Sequence, residues 1–154
     1  MKRSAGLLLY RRQPDLEVLL VHPGGPFFAG KDVWGIPKGE YGSAEEPLAA
    51  AYREFAEETG FPPPKGQPLP LGEVVQRSGK RVVAWALEGD LDASKLVSNT
   101  FAMPWRGRVQ RFPEVDEGRW FGVDEARTRM SEAQAQFVDR LLDTLERAGP
   151  VTPG

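Results

Sequence analysis

Cysteine is absent from the 154-residue chain. That excludes disulfides, thiolate metal sites and cysteine nucleophiles, and it fits a reducing compartment. A single histidine, His22, excludes zinc centres built on several imidazoles. Long hydrophobic runs are missing too. The longest near the N-terminus, residues 5–10, is too short for a signal sequence or a membrane span. Charge of one sign does not dominate: the formal net charge is −2, which argues against a protein that coats nucleic acid. What is abundant is glycine (17) and proline (14), a turn-rich composition that stays short of disorder. A chain of this length buries roughly 70% of its unfolded surface without staples. The expectation is a cytoplasmic, single-domain protein over residues 1–154, monomeric or homodimeric, with no membrane segment and no stable nucleic-acid complex.

Residues 5–10 and 17–22 are β-prone runs around a polar turn with Pro14 and Asp15, and predict a hairpin. Residues 23–30 (PGGPFFAG) read as a loop. Residues 33–36 predict a short strand stopped by Pro37. A helix is expected from Pro47 to Thr59, with Glu46 as N-cap, Pro47 at its first position and Gly60 just past its end. Residues 71–77 and 81–87 flank Ser78-Gly79-Lys80 as a second hairpin, and residues 99–105 and 119–123 are further strand candidates. Arg106, Arg108 and Arg111 read as a basic loop between them. A last helix is expected from Ser131, with Gln134 completing a capping box, to Ala148, before Gly149 and Pro150. Helices and strands mix without strict alternation, so the class is α+β, a mixed sheet with helices packed on it.

The helix at 47–59 carries the chemistry. At about 100° per residue, Tyr52, Phe55 and Thr59 share a face with Leu48. Glu54, Glu57 and Glu58 crowd an arc of about 100° away from that face, with Arg53 beside it. Like charges at this spacing destabilise a helix, and the last turn is where the helix dipole disfavours anions. A divalent cation offsets both, and magnesium takes carboxylates together with water and phosphate oxygens.

From Gly39 to Phe61 the chain reads GEYGSAEEPLAAAYREFAEETGF. Gly39, Glu45, Arg53, Glu54, Glu57, Glu58 and Gly60 stand at the spacing G-x5-E-x7-R-E-U-x-E-E-x-G-U, with Phe55 and Phe61 at the bulky positions U. This stretch, 39–61, resembles the Nudix box, and WGIPKGE before it together with the later hairpin and helix extends the likeness over most of the chain. The resemblance implies a Nudix fold, a mixed sheet sandwiched between helices (α/β/α), in a MutT-like hydrolase. It implies cleavage of a phosphoanhydride with Mg2+ or Mn2+, held by Glu54, Glu57, Glu58 and the carbonyl of Gly39. Arg53 would orient the carboxylates, Glu45 would pair structurally near the helix start, and Glu54 or Glu57 would serve as the box's general base.

Outside the box, Glu114 begins EVDEGRW. This resembles the E-x4-R-W stretch of dinucleoside-tetraphosphate (Ap4A) hydrolases and bacterial RNA pyrophosphohydrolases, and makes Glu114 a loop candidate for base or metal ligand, with Asp116 and Glu117 as neighbours. Lys80 and Arg81 open KRVVAWAL, similar to the K-x-V-x-x-W strand of the tetraphosphate hydrolases. With Lys38, Lys31 and the 106–111 arginines they suit a long anionic nucleotide substrate. Phe27 and Phe28, in a glycine/proline loop, are the candidates for base stacking, with Trp34, Trp85, Trp105 and Phe112 as alternatives. His22 reads as structural. The proline associated with ADP-ribose hydrolysis is replaced by Gln76, and the tyrosine usual in some dinucleoside-polyphosphate enzymes by Ser78. The leading expectation is a metal-dependent nucleotide pyrophosphohydrolase acting on a dinucleoside polyphosphate or a nucleoside triphosphate. The alternatives are a diphosphoinositol or RNA 5′-pyrophosphohydrolase and a non-catalytic nucleotide sensor.

Overall fold

Residues 5–10 are apolar without alternation because the strand that contains them is covered on both faces. In a computed structural model, which describes residues 2–12 and 14–148, this strand is β1 (Arg3–Arg12). Ala5, Leu7 and Leu9 point to one helical layer, Leu8 and Tyr10 to the other. Along one edge β1 pairs in parallel with β5 (Arg81–Glu88). The opposite edge is shared: β3 (Lys38–Glu40) takes its start and β2 (Leu16–Pro23) its end, both antiparallel. β4 (Leu69–Val75) and β8 (Val115–Gly122) close the sheet, in the order β4-β5-β1-β2-β8. The result is a mixed sheet between helices, the α+β architecture expected.

Helix α1 (Pro47–Thr59) covers one face. Its Ala50, Ala51 and Phe55 pack on Ala5, Leu7, Leu9, Leu19 and Leu87. Phe55 is fully buried, which contributes about 2–3 kcal/mol. Gly60 ends the helix at φ 77°, donating its N–H to Ala56. Glu46 holds the N-cap position, but its side chain makes no capping bond. Helices α2 (Val123–Arg129) and α3 (Glu132–Ala148) cover the other face, with Ala126, Phe137, Val138 and Leu141 fully buried.

Four local expectations are corrected. Residues 33–36 form only isolated bridges, Val21 to Gly35 and Trp34 to Met130, because the Ile36 N–H goes to the Gln134 side chain and Pro37 has no N–H to give. Residues 106–111 are not a loop. β6 (Thr100–Trp105) and β7 (Arg108–Pro113) form a hairpin whose two-residue turn, Arg106 and Gly107, has φ of 52° and 83°. Such a turn usually carries Asn-Gly, and arginine at its first position hides it. The strand read at 119–123 starts earlier, at Val115, and its last residue, Val123, opens α2. The capping box of α3 is half made. Ser131 Oγ accepts the Gln134 N–H at 3.2 Å, while the Gln134 side chain turns away to Ile36. Gly149 and Pro150, read as the stop of this helix, lie outside the described residues.

Candidate active site

Gly39 sits in β3 opposite Ala5, and α1 crosses behind it. A Cβ at Gly39 would overlap the Glu54 carboxylate, so glycine there lets the backbone approach that group. Glu54 is only 8% exposed. The arc of three carboxylates is therefore not a solvated face: Glu54 turns in under β3, and part-buried Glu58 accepts the Lys38 backbone N–H at 3.2 Å.

Arg53 ties the acids together. Its guanidinium holds both oxygens of Glu45, at 2.8 and 2.9 Å, as a fork. The same group reaches Glu54 at 2.7 Å and Glu57 at 3.2 Å. Glu45 thus makes the pairing contact near the helix start, and its carboxyl is held below its usual range by Arg53. Glu54 is raised by burial, against the pull of Arg53. Glu58 is pushed up to about 8, chiefly by burial. Among the described residues no three His, Asp or Glu side chains stand ready-gathered around one metal position. The reason is visible: Arg53 draws on Glu54 and Glu57 while Glu58 turns to a backbone N–H.

Glu114 reaches this group through a backbone relay. The Asn99 N–H donates to the Glu57 carbonyl (2.8 Å), the Glu114 N–H to the Asn99 carbonyl (2.8 Å), and the Gly24 N–H to the Glu114 carbonyl (3.0 Å). A carbonyl left over at the helix end is thereby satisfied, and Glu114 is pinned between α1 and the 23–30 loop. Its carboxyl is raised by burial and by Glu54 and Glu57. Asp116 and Glu117 are diverted: Asp116 bonds His22, and Glu117 bonds Arg119.

Of these groups, Gly39, Glu54, Glu58 and Glu114 line one cleft of about 430 Å³ and face Lys38, Lys80 and Phe28, while Glu57 and Arg53 are not among its lining residues. Burial and Lys80 depress the Lys38 ammonium. Lys80 pairs with Glu40 at 3.3 Å. Arg81, taken from the sequence as a ligand-binding candidate, is not among the cleft's lining residues; it bonds Glu73 at 2.9 Å on the neighbouring strand. Alternation along β5 carries residues 80 and 81 to opposite sides. Phe28 is 39% exposed at the cleft, and Phe27 stands outside it, edge-on to Trp105 at 5.9 Å. Trp34 is buried. His22 is structural: its ring nitrogens meet the Asp116 carboxylate (2.7 Å) and the Lys31 carbonyl (2.6 Å). Two residues of the cleft escaped the sequence reading. Phe101 stands on the unrecognised hairpin. Ser4 Oγ is buried without a partner among the described residues, and a serine in a strand carries no sequence signal. No described helix is long and apolar enough to cross a membrane.

Known proteins share this fold. A sequence model of the NUDIX domain matches residues 1–141. None of the curated proteins compared with the chain matches it. Among solved structures, the chain is similar to a C. elegans Ap4A hydrolase binary complex, with 22% identity and a TM-score of 0.67 over 94% of this chain and 98% of that one. It is also similar to the NUDIX domain of Shewanella oneidensis NrtR complexed with ADP ribose, at 19% identity and TM-score 0.63, over 93% and 87% of the two chains. A Nudix hydrolase from M. smegmatis, RenU, is 24% identical with a TM-score of 0.55, over 98% and 89%. At these identities the likeness is one of fold.

Proposed function

Since this chain belongs to the Nudix family of hydrolases acting on phosphorus-containing anhydrides, we propose that it cleaves a phosphoanhydride bond of a nucleoside polyphosphate, either a dinucleoside polyphosphate such as Ap4A or a nucleoside triphosphate. The observation that carries this reading is the meeting of Glu54, Glu58 and Glu114 with Lys38 and Lys80 in one cleft. Nudix hydrolases generally use divalent metal ions, and the residues here suit Mg2+ or Mn2+. The donors are hard oxygens, the carboxyls of Glu54, Glu58 and Glu114 are raised chiefly by burial, a cost that a bound cation would offset, and Gly39 leaves its backbone open beside Glu54. Glu54, Glu57, Glu58 and the Gly39 carbonyl would hold the metal, which when bound supplies charge neutralisation and a more acidic water.

The chain's own residues do the rest. Arg53 bonds Glu54 and Glu57, and their carboxylates would have to swing from it to take up a metal. Lys38 and Lys80 receive the phosphates; Lys80 must exchange Glu40 for them. Glu114 and Glu54, which line the cleft, and Glu57, farther along α1, are the candidate bases. Burial and the neighbouring Glu54 and Glu57 raise the Glu114 carboxyl, the direction that suits a general base. Phe28 offers its ring to a nucleobase.

Incubation with Ap4A, Ap5A, nucleoside triphosphates, ADP-ribose and NADH in Mg2+ or Mn2+, with products resolved by ion exchange, tests the proposal. Cleavage of Ap4A or a triphosphate is expected, with Glu57→Gln and Glu58→Gln slower by at least about a hundredfold. No cleavage of any compound, or near-normal turnover in both variants, overturns it.

A further inference from the structure

Beside the carboxylate cleft lies a second cavity of about 300 Å³. The two share Phe28, Lys38, Glu58 and Glu114, so one opens into the other. The walls of the second are apolar, with Val33, Trp34 and Ile36 around its interior. Trp34 is held rigidly, edge-on to His22 at 5.3 Å and to Phe121 at 5.1 Å. The polar groups are few: Gln76, Gln134 and Ser131 join the shared residues at the mouth. A preformed apolar slot with a few placed polar groups is the usual form of a small-molecule site.

The two glutamines are wired in one direction. Gln134, 6% exposed, accepts the Ile36 backbone N–H on its Oε1 at 3.0 Å. A backbone N–H can only donate, so the amide oxygen of Gln134 must face it. Its Nε2 therefore points the other way and donates to Gln76 Oε1 at 3.1 Å. Gly35 makes room for this, since a Cβ there would stand 2.8 Å from Gln134 Oε1. Gln76 is left with its oxygen occupied and its Nε2 without a protein partner among the described residues. Its backbone is fixed as well, donating to Lys80 and accepting from Gly79, both at 2.8 Å. The polarity of one buried N–H is thus passed through two amides to Gln76, which lies between this cavity and a neighbouring one of about 650 Å³.

We infer that this cavity holds the nucleobase of the substrate, and that Gln76, oriented by Gln134, presents a fixed N–H donor that selects a 6-oxopurine over a 6-aminopurine. The inference rests on the proposed nucleotide substrate and, within it, favours a 6-oxopurine triphosphate over the adenine dinucleotide Ap4A. A carbonyl at position 6 accepts that donor, whereas an amino group there places donor against donor and leaves both unpaired. Gln76 is the reading residue, and Gln134 is a positioning residue acting through it.

The test pairs IMP with AMP, which differ in the 6-substituent and its ring proton, by titration calorimetry on the full chain, and ITP with ATP by hydrolysis in Mg2+. IMP should bind about tenfold more tightly than AMP. Gln76→Leu should reduce that ratio to about one. Gln76→Glu, which presents an acceptor, should reverse it. Gln134→Leu frees the Gln76 amide to turn and should bring the ratio to within about twofold, a change that a purely structural role would not produce. Thermal melts check that each variant folds, and Gln76, on the part-exposed end of a hairpin, is the safer position. Equal binding of IMP and AMP by the wild type, or a preference that survives Gln76→Leu, overturns the inference. Hydrolysis of both triphosphates alongside equal binding overturns the base reading alone. An IMP preference without hydrolysis of any nucleotide supports the cavity's assignment and overturns the proposed reaction. Absence of both binding and hydrolysis overturns both.

Discussion

Removing Arg53 tests how the carboxylates are held apart from any chemistry. In the folded chain its guanidinium bonds Glu45, Glu54 and Glu57. Glu45 and Glu57 are about a third exposed, so solvent screens both pairs and each adds little. Glu54 has a side chain 10% exposed and keeps no other hydrogen-bond partner among the described residues. Leaving it unpaired costs about 1–3 kcal/mol. Arg53→Ala should therefore destabilise the metal-free protein by about 2–3 kcal/mol, which lowers Tm by roughly 5–10 °C for a chain of this size. Arg53→Lys restores charge but not the fork, and should recover less than half. The loss should also depend on pH. Without Arg53 the Glu54 carboxyl rises further, so the loss is smaller at low pH, where the group is protonated and needs no cation, than at high pH, where it is ionised and unpaired. Thermal unfolding at pH 5 and pH 8, with and without 10 mM-scale magnesium, measures all of this. The deficit should be larger at pH 8 and should shrink when magnesium supplies the missing charge. A loss below about 0.5 kcal/mol at pH 8 would refute the claim that Arg53 carries the buried carboxylate.

Three more outcomes follow from the same geometry. Glu58, raised to about 8, and His22, raised against the opposing effect of burial by the Lys31 carbonyl and Asp116, both bind protons more tightly folded than unfolded. Their contributions are present at low pH and lost as pH rises through those folded values, so the metal-free protein should lose stability from about pH 5 to 8 in urea titrations. Glu58→Gln should flatten that loss; a loss unchanged in this variant would contradict the assignment to Glu58. Gly39→Ala should cost at least about tenfold in kcat/KM, because its Cβ displaces the Glu54 carboxylate, and crystals of the variant should show that group moved. Gly60→Ala should destabilise by about 1–2 kcal/mol, since φ is 77° and its Cβ would sit 2.6 Å from the Val97 carbonyl; an unchanged urea midpoint would show that this turn relaxes freely.

Much of this molecule was legible in one dimension because the signals are local. A helix at 47–59 follows from Pro47, an apolar face at helical spacing and Gly60, each acting within a few residues. The same holds for the first hairpin and for α3. The spacing of Gly39, Glu45, Arg53, Glu54, Glu57 and Glu58 pointed to the family because those residues lie on one continuous stretch. Where local signals ran out, the reading slipped. Arg106-Gly107 turns a hairpin without the usual asparagine, and residues 33–36 look like a strand, but the Ile36 N–H goes to a glutamine 98 positions away.

Three things were decided only by tertiary structure. Glu114 stands beside the acidic helix because Asn99 links the Glu57 carbonyl to the Glu114 N–H, a relay of backbone groups that no sequence pattern encodes. Lys80 and Arg81 are equal as neighbouring cations on paper, yet the alternation of β5 and the position of Glu73 leave only Lys80 at the cleft. The carboxylates look like a solvated arc on a helical wheel, but β3 closes over Glu54 and Glu58 and burial raises both. Periodicity tells which side of a helix a residue takes; what lies opposite that side depends on distant strands, and so does the charge a buried acid can keep.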